Sequence, residues 1–151
     1  MMLMFMVVCM VSFANADLSA KIGKMGLFRW RGGESMTHLK QWDKLQEAIA
    51  ATPEGKVVVL DFTARWCSPC RIIAPALNDF ATLMADDCVF FKIDVDEMPE
   101  ASMHFDVSAL PTFIVLRKGT ELSRFSGASI PKLKQMLVDH GCTVPENDQD
   151  F

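Results

Sequence analysis

The chain has 151 residues, with 15 basic and 19 acidic side chains, and therefore a formal net charge of −4. This length suits one domain, and 50% hydrophobic with 23% charged residues excludes wholesale disorder and collagen-like repeats. The acidic balance gives no electrostatic reason to expect a nucleic-acid partner. Five cysteines are too few for a disulfide-dense miniature scaffold.

The first 16 residues carry no charged side chain. An apolar run from Leu3 to Phe13 is broken only by Ser12 and is followed by Ala14-Asn15-Ala16. This pattern is typical of a secretory signal peptide cleaved after Ala16, so we expect a protein of the secretory pathway or a secreted one. The run is short for a membrane span, which needs ~20 residues. The alternatives are an uncleaved membrane anchor and an organellar (mitochondrial) signal, although mitochondrial signals are rich in Arg and this run has none.

Residues 17–35 are predicted to form a flexible basic linker, with four basic side chains and four glycines between residues 18 and 33. The alternative is a basic arm for anionic membranes or partners. Residues 142–151 are predicted to be an acidic tail, which frays from Pro145 to Phe151. We therefore expect one folded domain over residues 36–141.

Hydrophobic periodicity predicts nine elements in this domain. In chain order they are a strand at 36–39, a helix from Trp42 that ends before Pro53, a buried strand at 57–62, a long helix around 68–84 with a kink at Pro75, a strand at 89–95, a short helix at 99–105, strands at 112–116 and 122–125 around a Lys118-Gly119 turn, and a last helix from Pro131 to Gly141. This order predicts an α/β three-layer sandwich, in which a mixed central sheet has helices on both faces.

The segment Trp66-Cys67-Ser68-Pro69-Cys70 follows the buried strand and opens the long helix. Two cysteines three apart in a first helical turn can close a small disulfide. Cys67 there faces unpaired backbone N–H groups and the positive end of the helix dipole, which both favour its thiolate. Pro69 is tolerated because first-turn N–H groups need no helical partner. The pattern favours a reactive dithiol.

Two other interpretations of the cysteine pair are weaker. A zinc or iron–sulfur site needs further ligands, but no second C-x-x-C follows, and His38, His104 and His140 are scattered. We therefore expect no metal. An inert structural disulfide rarely needs this setting between a strand and a helix.

The chain resembles the thioredoxin family over roughly residues 36–140. The segments that carry the resemblance are Val58–Cys70, Ile72–Pro75, Lys92–Asp96, Leu110–Phe113 and Phe125–Ala128. The resemblance implies a thiol–disulfide oxidoreductase that reduces disulfide-containing proteins and holds no bound cofactor. It also implies a monomer that takes electrons from a thioredoxin reductase or another thiol donor.

The resemblance also implies roles for individual residues. Cys67 attacks the substrate disulfide and Cys70 resolves the mixed disulfide. Asp61 accepts the proton of Cys70, with Lys92 nearby and Pro69 between the cysteines as supporting residues. An acid within the apolar strand at 57–62 is costly to bury unless it has a catalytic role or a charged or hydrogen-bonding partner. The alternative is a strand with alternating faces that exposes Asp61 to water.

The resemblance further implies a shallow apolar groove for the substrate. Its expected members are Trp66, Gly127 and the segment Ala109-Leu110-Pro111. A cis peptide bond before Pro111 would leave backbone groups free to pair with an extended peptide.

Two alternative functions remain open at this point. Ser68 replaces the more usual glycine, and Pro69 stands where disulfide isomerases have histidine, which favours a reductase over a secretory-pathway oxidase or isomerase. The other alternative is a non-enzymatic binding or chaperone module. Cys88 and Cys142 have no family role, and we expect two idle thiols, although the topology brings both to the end opposite the active site.

Overall fold

The computed structural model describes residues 36–144, so the predicted signal peptide, the linker and residues 145–151 of the tail lie outside it. The predicted order of nine elements is confirmed. They are β1 (Thr37–Leu39), α1 (Trp42–Ala51), β2 (Val57–Thr63), α2 (Ser68–Leu83), β3 (Cys88–Asp94), α3 (Pro99–His104), β4 (Thr112–Arg117), β5 (Thr120–Ser126) and α4 (Ile130–Asp139). Within these described residues, no helix has the length and apolar character needed to cross a membrane.

The strands form one mixed sheet in the order β1-β3-β2-β4-β5. β1 and β2 run parallel to β3, whereas β4 is antiparallel to β2 and β5 is antiparallel to β4. The hairpin turn of β4 and β5 is Lys118-Gly119, where both residues have positive φ (52° and 76°), as two-residue hairpins of this kind require. The carboxyl ends of the parallel strands therefore meet at one edge, where the Cys67 motif begins.

β2 is buried along its whole length, which explains its continuous apolar sequence. Side chains alternate between the two faces of a strand. Val57 and Val59 belong to the apolar cluster that contains side chains of α2 and α4, among them Leu77 and Leu137. By the same alternation, Asp61 lies on the face that α2 and α4 cover.

The structure brings Cys88 and Cys142 together, with their Cα atoms 6.7 Å apart, whereas the sequence led us to expect two idle thiols. Both residues are buried in the cluster beneath α2 and α4. Cys88 begins β3, whereas Cys67 follows the carboxyl end of the parallel strand β2. The second pair therefore lies at the opposite end of the domain from the first, as the topology predicts.

Candidate active site

Cys67 occupies the N-cap position of α2 and is joined to Cys70 by a disulfide, with their Cα atoms 5.3 Å apart. The backbone N–H of Cys70 donates a hydrogen bond to Cys67 Sγ at 3.2 Å. Pro69 lies in the first turn, where it removes no helical hydrogen bond. The helix N-terminus therefore stabilises negative charge on Cys67 through one direct donor and through its dipole.

Cys67 borders a groove of about 650 Å³ on the molecular surface. The two sulfur-bearing residues are each only 4% exposed, whereas Trp66 beside them is 68% exposed. The groove is lined by the active-site loop, by α3 and by the loop before β4: Trp66, Cys67, Ser68, Pro69, Val95, Pro99, Ser102, Met103, Val107, Ser108, Ala109 and Leu110.

Three of the five predicted groove residues line this groove, namely Trp66, Ala109 and Leu110. Pro111 and Gly127 do not line it. They contact each other instead, because the N–H of Gly127 donates a hydrogen bond to the Pro111 carbonyl at 2.8 Å. The Leu110–Pro111 peptide bond is cis, and Gly127 has a φ of 111°, in the region that favours glycine.

Asp61 is buried within β2, with 4% of its surface exposed, so the alternative of a solvent-exposed carboxylate does not hold. Its Oδ1 atom has no hydrogen-bond partner within residues 36–144. Burial raises the pKa of Asp61 from 3.8 to about 7, although the positive charge of Lys92 opposes the rise. Lys92 is the residue aligned with Asp61 on the neighbouring strand β3. The carboxyl group therefore exchanges its proton near neutral pH.

Sequence reasoning missed two acids in the loop that follows β3. The indole Nε1–H of Trp66 donates a hydrogen bond to Asp96 Oδ2 at 2.9 Å, and Arg65 donates to Glu97 at 2.7 Å. A signal was available, because β2 and β3 are adjacent parallel strands whose following loops must meet at the same edge. Glu97 thus forms an ion pair with Arg65 at this edge of the sheet.

Within the described part of the chain, no group of three or more His, Cys, Asp or Glu side chains could hold a metal ion. The disulfide chemistry of the site requires none.

A family model, curated relatives and solved structures all match this chain to the same family. The thioredoxin family model matches residues 36–139. Thioredoxin H4 of Arabidopsis thaliana is 40% identical over 100 residues, which are 66% of this chain and 79% of that protein. Thioredoxin H2-2 of Oryza sativa subsp. japonica is 46% identical over 96 residues, or 64% of this chain and 70% of that protein. The crystal structure of thioredoxin NaTrxh from Nicotiana alata aligns with a TM-score of 0.67 and 30% identity, over 74% of this chain and 97% of that one.

These relatives overturn the predicted location. They are H-type thioredoxins, which are cytosolic, and they point away from the secretory pathway. The prediction of a secretory or secreted protein is therefore wrong. It depended on the composition of residues 1–16, which lie outside the described residues.

The family also decides between the alternatives for activity. A matching family model, H-type relatives and a Cys67–Cys70 pair at disulfide distance favour an enzyme over a non-enzymatic module, and a reductase over an oxidase or isomerase. The chain belongs to the thioredoxin family and is a thiol–disulfide oxidoreductase that reduces protein disulfides.

Proposed function

We propose that the chain reduces protein disulfides through Cys67 as nucleophile and Cys70 as resolving cysteine. The Cys67 thiolate attacks one sulfur of the substrate disulfide, forming a mixed disulfide and releasing one substrate thiolate. The Cys70 thiolate then attacks Cys67 Sγ, which releases the second substrate thiol and leaves the Cys67–Cys70 disulfide. The observation that carries this assignment is the N-cap position of Cys67, whose Sγ accepts the N–H of Cys70 at 3.2 Å.

Asp61 is the proposed acceptor of the Cys70 proton in the second step. It lies on the sheet face that α2 covers, and the pKa of about 7 lets it gain and lose a proton near neutral pH. Lys92 is its supporting residue, because the positive charge beside Asp61 limits how far burial raises that pKa. Without such a charge, burial would raise the pKa of Asp61 further, and less of the carboxyl group would be ionised at neutral pH.

The groove beside Trp66 is the proposed binding surface for an extended segment of the substrate protein. Its apolar lining suits side chains next to a disulfide. The backbone N–H and carbonyl of Leu110 make no hydrogen bond within residues 36–144, so both can pair with a substrate backbone. Pro111 and Gly127 act as positioning residues, because their mutual hydrogen bond holds the loop that presents Leu110.

The proposed partners are disulfide-containing proteins and a thiol electron donor, such as a thioredoxin reductase, that returns Cys67 and Cys70 to thiols. Each turnover delivers two electrons to the substrate and leaves a disulfide at the site. A separate donor must therefore close the cycle, and no bound cofactor is needed.

Trapping of the mixed disulfide tests the order of attack. In Cys70→Ser the resolving thiol is lost, so incubation of the reduced full chain with insulin should leave a covalent adduct that dithiothreitol releases. Peptide mapping of this adduct should join an insulin cysteine to Cys67. Cys67→Ser is the matched control and should give no adduct at Cys70. Equal trapping by both variants would contradict the assignment of Cys67 as the nucleophile.

A further inference from the structure

We propose that Cys88 and Cys142 form a second redox couple, which closes into a disulfide under oxidising conditions and fastens the end of α4 to the start of β3. This couple goes beyond the proposed reduction of substrates, because it lies at the opposite end of the domain from Cys67 and borders no part of the active-site groove. The two cysteines are 54 residues apart in the sequence.

Cys88 and Cys142 lie close enough together to form a disulfide. The Cα atoms of Cys88 and Cys142 are 6.7 Å apart, inside the range of about 4.4–6.8 Å found for disulfides, and the two Sγ atoms are in contact. Cys88 is 2% and Cys142 is 6% exposed, and both pack in one apolar cluster with Met84 and Leu137. This Cα separation is therefore compatible with a disulfide between the two residues.

Hydrogen bonds hold the segment around Cys142 in place independently of the sulfur atoms. The N–H of Thr143 donates to Asp87 Oδ2 at 2.7 Å, and this bond is the main reason that the pKa of Asp87 lies below its usual value. Cys142 donates its own N–H to the Leu137 carbonyl at 3.0 Å, and Arg117 donates to the His140 carbonyl at 2.6 Å. The two thiols are therefore expected to stay close together when reduced.

The oxidant is a small-molecule disulfide of the glutathione class. The Cys142 thiolate attacks one sulfur of glutathione disulfide and releases one glutathione thiolate. The Cys88 thiol then loses its proton to water and attacks Cys142 Sγ, which releases the second glutathione. In sum, two protein thiols are oxidised to one disulfide and one glutathione disulfide is reduced to two glutathione molecules.

The surroundings make this couple slower than the active-site pair. Neither cysteine lies at a helix N-terminus that would stabilise its thiolate, which is the reactive form, and the carboxylate of Asp87 next to Cys88 adds negative charge. Attack by Cys142 needs a local opening of the segment after α4, which interrupts few hydrogen bonds. In a compartment where glutathione keeps thiols reduced, the pair would remain open until conditions become oxidising.

Peptide mapping of the full chain tests the couple directly. The reduced protein is incubated with glutathione disulfide, quenched with acid at intervals, denatured, alkylated and digested. We expect the linked Cys67–Cys70 product first and a peptide that joins Cys88 to Cys142 later. Cys9 is the internal reference, because we expect it to be alkylated or joined to glutathione. Separate alkylation of Cys88 and Cys142 at all times, or a glutathione on each, would overturn the proposal.

Thermal unfolding gives a second measurement, because a disulfide that closes a 54-residue separation restricts the unfolded chain. The difference in Tm between oxidised and reduced protein should be larger in the wild type than in Cys142→Ser by on the order of 10 °C. Cys9→Ser is the matched control and should behave as the wild type does. An equal difference in all three proteins would contradict the couple. Should Cys142→Ser fail to fold, peptide mapping of the wild type still decides.

Discussion

At the scale of single residues, Asp61 departs most from the pattern of its surroundings. β2 is otherwise apolar up to its last residue, and a carboxyl group placed inside it loses its hydration. This loss is the main reason that its pKa rises to about 7. A carboxyl group that titrates near neutral pH is suited to proton transfer. The loss of hydration therefore explains both the energetic cost of burying Asp61 and its proposed catalytic role.

Asp61→Asn should slow the reduction of insulin by at least about tenfold, because general bases contribute factors of about 10² or more and water can replace only part of this. The rate at limiting protein substrate is the measurement. Asp79→Asn, at an exposed position of α2, makes the same change in charge and should retain the activity. A rate for Asp61→Asn within about a factor of two of the wild type would rule out the proton-transfer role.

Asp61 should also lower the stability of the oxidised protein as the pH rises. Its folded-state pKa of about 7 exceeds the unfolded value of 3.8, so the folded protein binds the proton more tightly, and stability is lost as the pH passes through about 7. Between pH 5.5 and 8.5 the loss is on the order of 2 kcal/mol. Guanidinium unfolding at both pH values should show this loss in the wild type. If Asp61→Asn lost the same amount of stability between these two pH values, another group would be its cause.

At the scale of elements, the active site is built where two loops meet. One loop joins β2 to α2 and carries Trp66, and the other follows β3 and carries Asp96. The hydrogen bond between these two side chains joins the loops across the edge of the sheet. Trp66 is largely exposed, so this bond, rather than packing, orients the indole beside the groove.

Asp96→Ala should therefore weaken the use of protein substrates more than the use of small ones. Loss of a hydrogen bond to a charged group is worth about 1.5 kcal/mol, or roughly tenfold, and we expect a loss of this size in kcat/KM for insulin, mainly through KM. Reduction of a small aromatic disulfide, which needs no groove, should change little. Asp96→Asn keeps an acceptor oxygen and should stay close to the wild type. Equal losses on both substrates would indicate general damage to the site instead.

The sequence predicted the elements well because their signal is local. A continuous apolar run predicts β2, and Pro131 with Gly141 predicts the limits of α4, since each depends on neighbours along the chain. The contact between Trp66 and Asp96 and the pairing of Cys88 with Cys142 depend instead on how separate elements pack. Topology predicted that the two cysteines share one end of the domain, but their Cα separation of 6.7 Å follows from how α4 lies on the sheet.

At the scale of the whole molecule, the two cysteine pairs occupy opposite ends of one domain. The active-site pair lies at the carboxyl ends of the parallel strands, at a helix N-terminus and beside a groove. The second pair lies at the amino end of β3 within the apolar cluster. The thiols are expected to react quickly at one end and slowly at the other, because a helix N-terminus stabilises the Cys67 thiolate whereas the carboxylate of Asp87 neighbours Cys88.

The edges of the sheet determine whether copies of the chain can associate by pairing strands. The outer strand β1 has only three residues, which offers few unpaired backbone groups. The outer strand β5 carries Glu121 and Arg124, which form an ion pair, and Arg124 also donates a hydrogen bond to the Phe105 carbonyl at 2.7 Å. Short and charged edges both oppose pairing with a second sheet.

We therefore expect a monomer of 16.9 kDa by light scattering under reducing conditions, at all concentrations tested. Replacing both charged residues, as in Glu121→Val with Arg124→Val, should produce concentration-dependent association, because the edge becomes apolar and β-branched. The exchanged pair, Glu121→Arg with Arg124→Glu, keeps both charges and should remain monomeric. A wild-type dimer under these conditions would show that another surface joins the copies, and a monomeric double-valine variant would show that charge does not protect this edge.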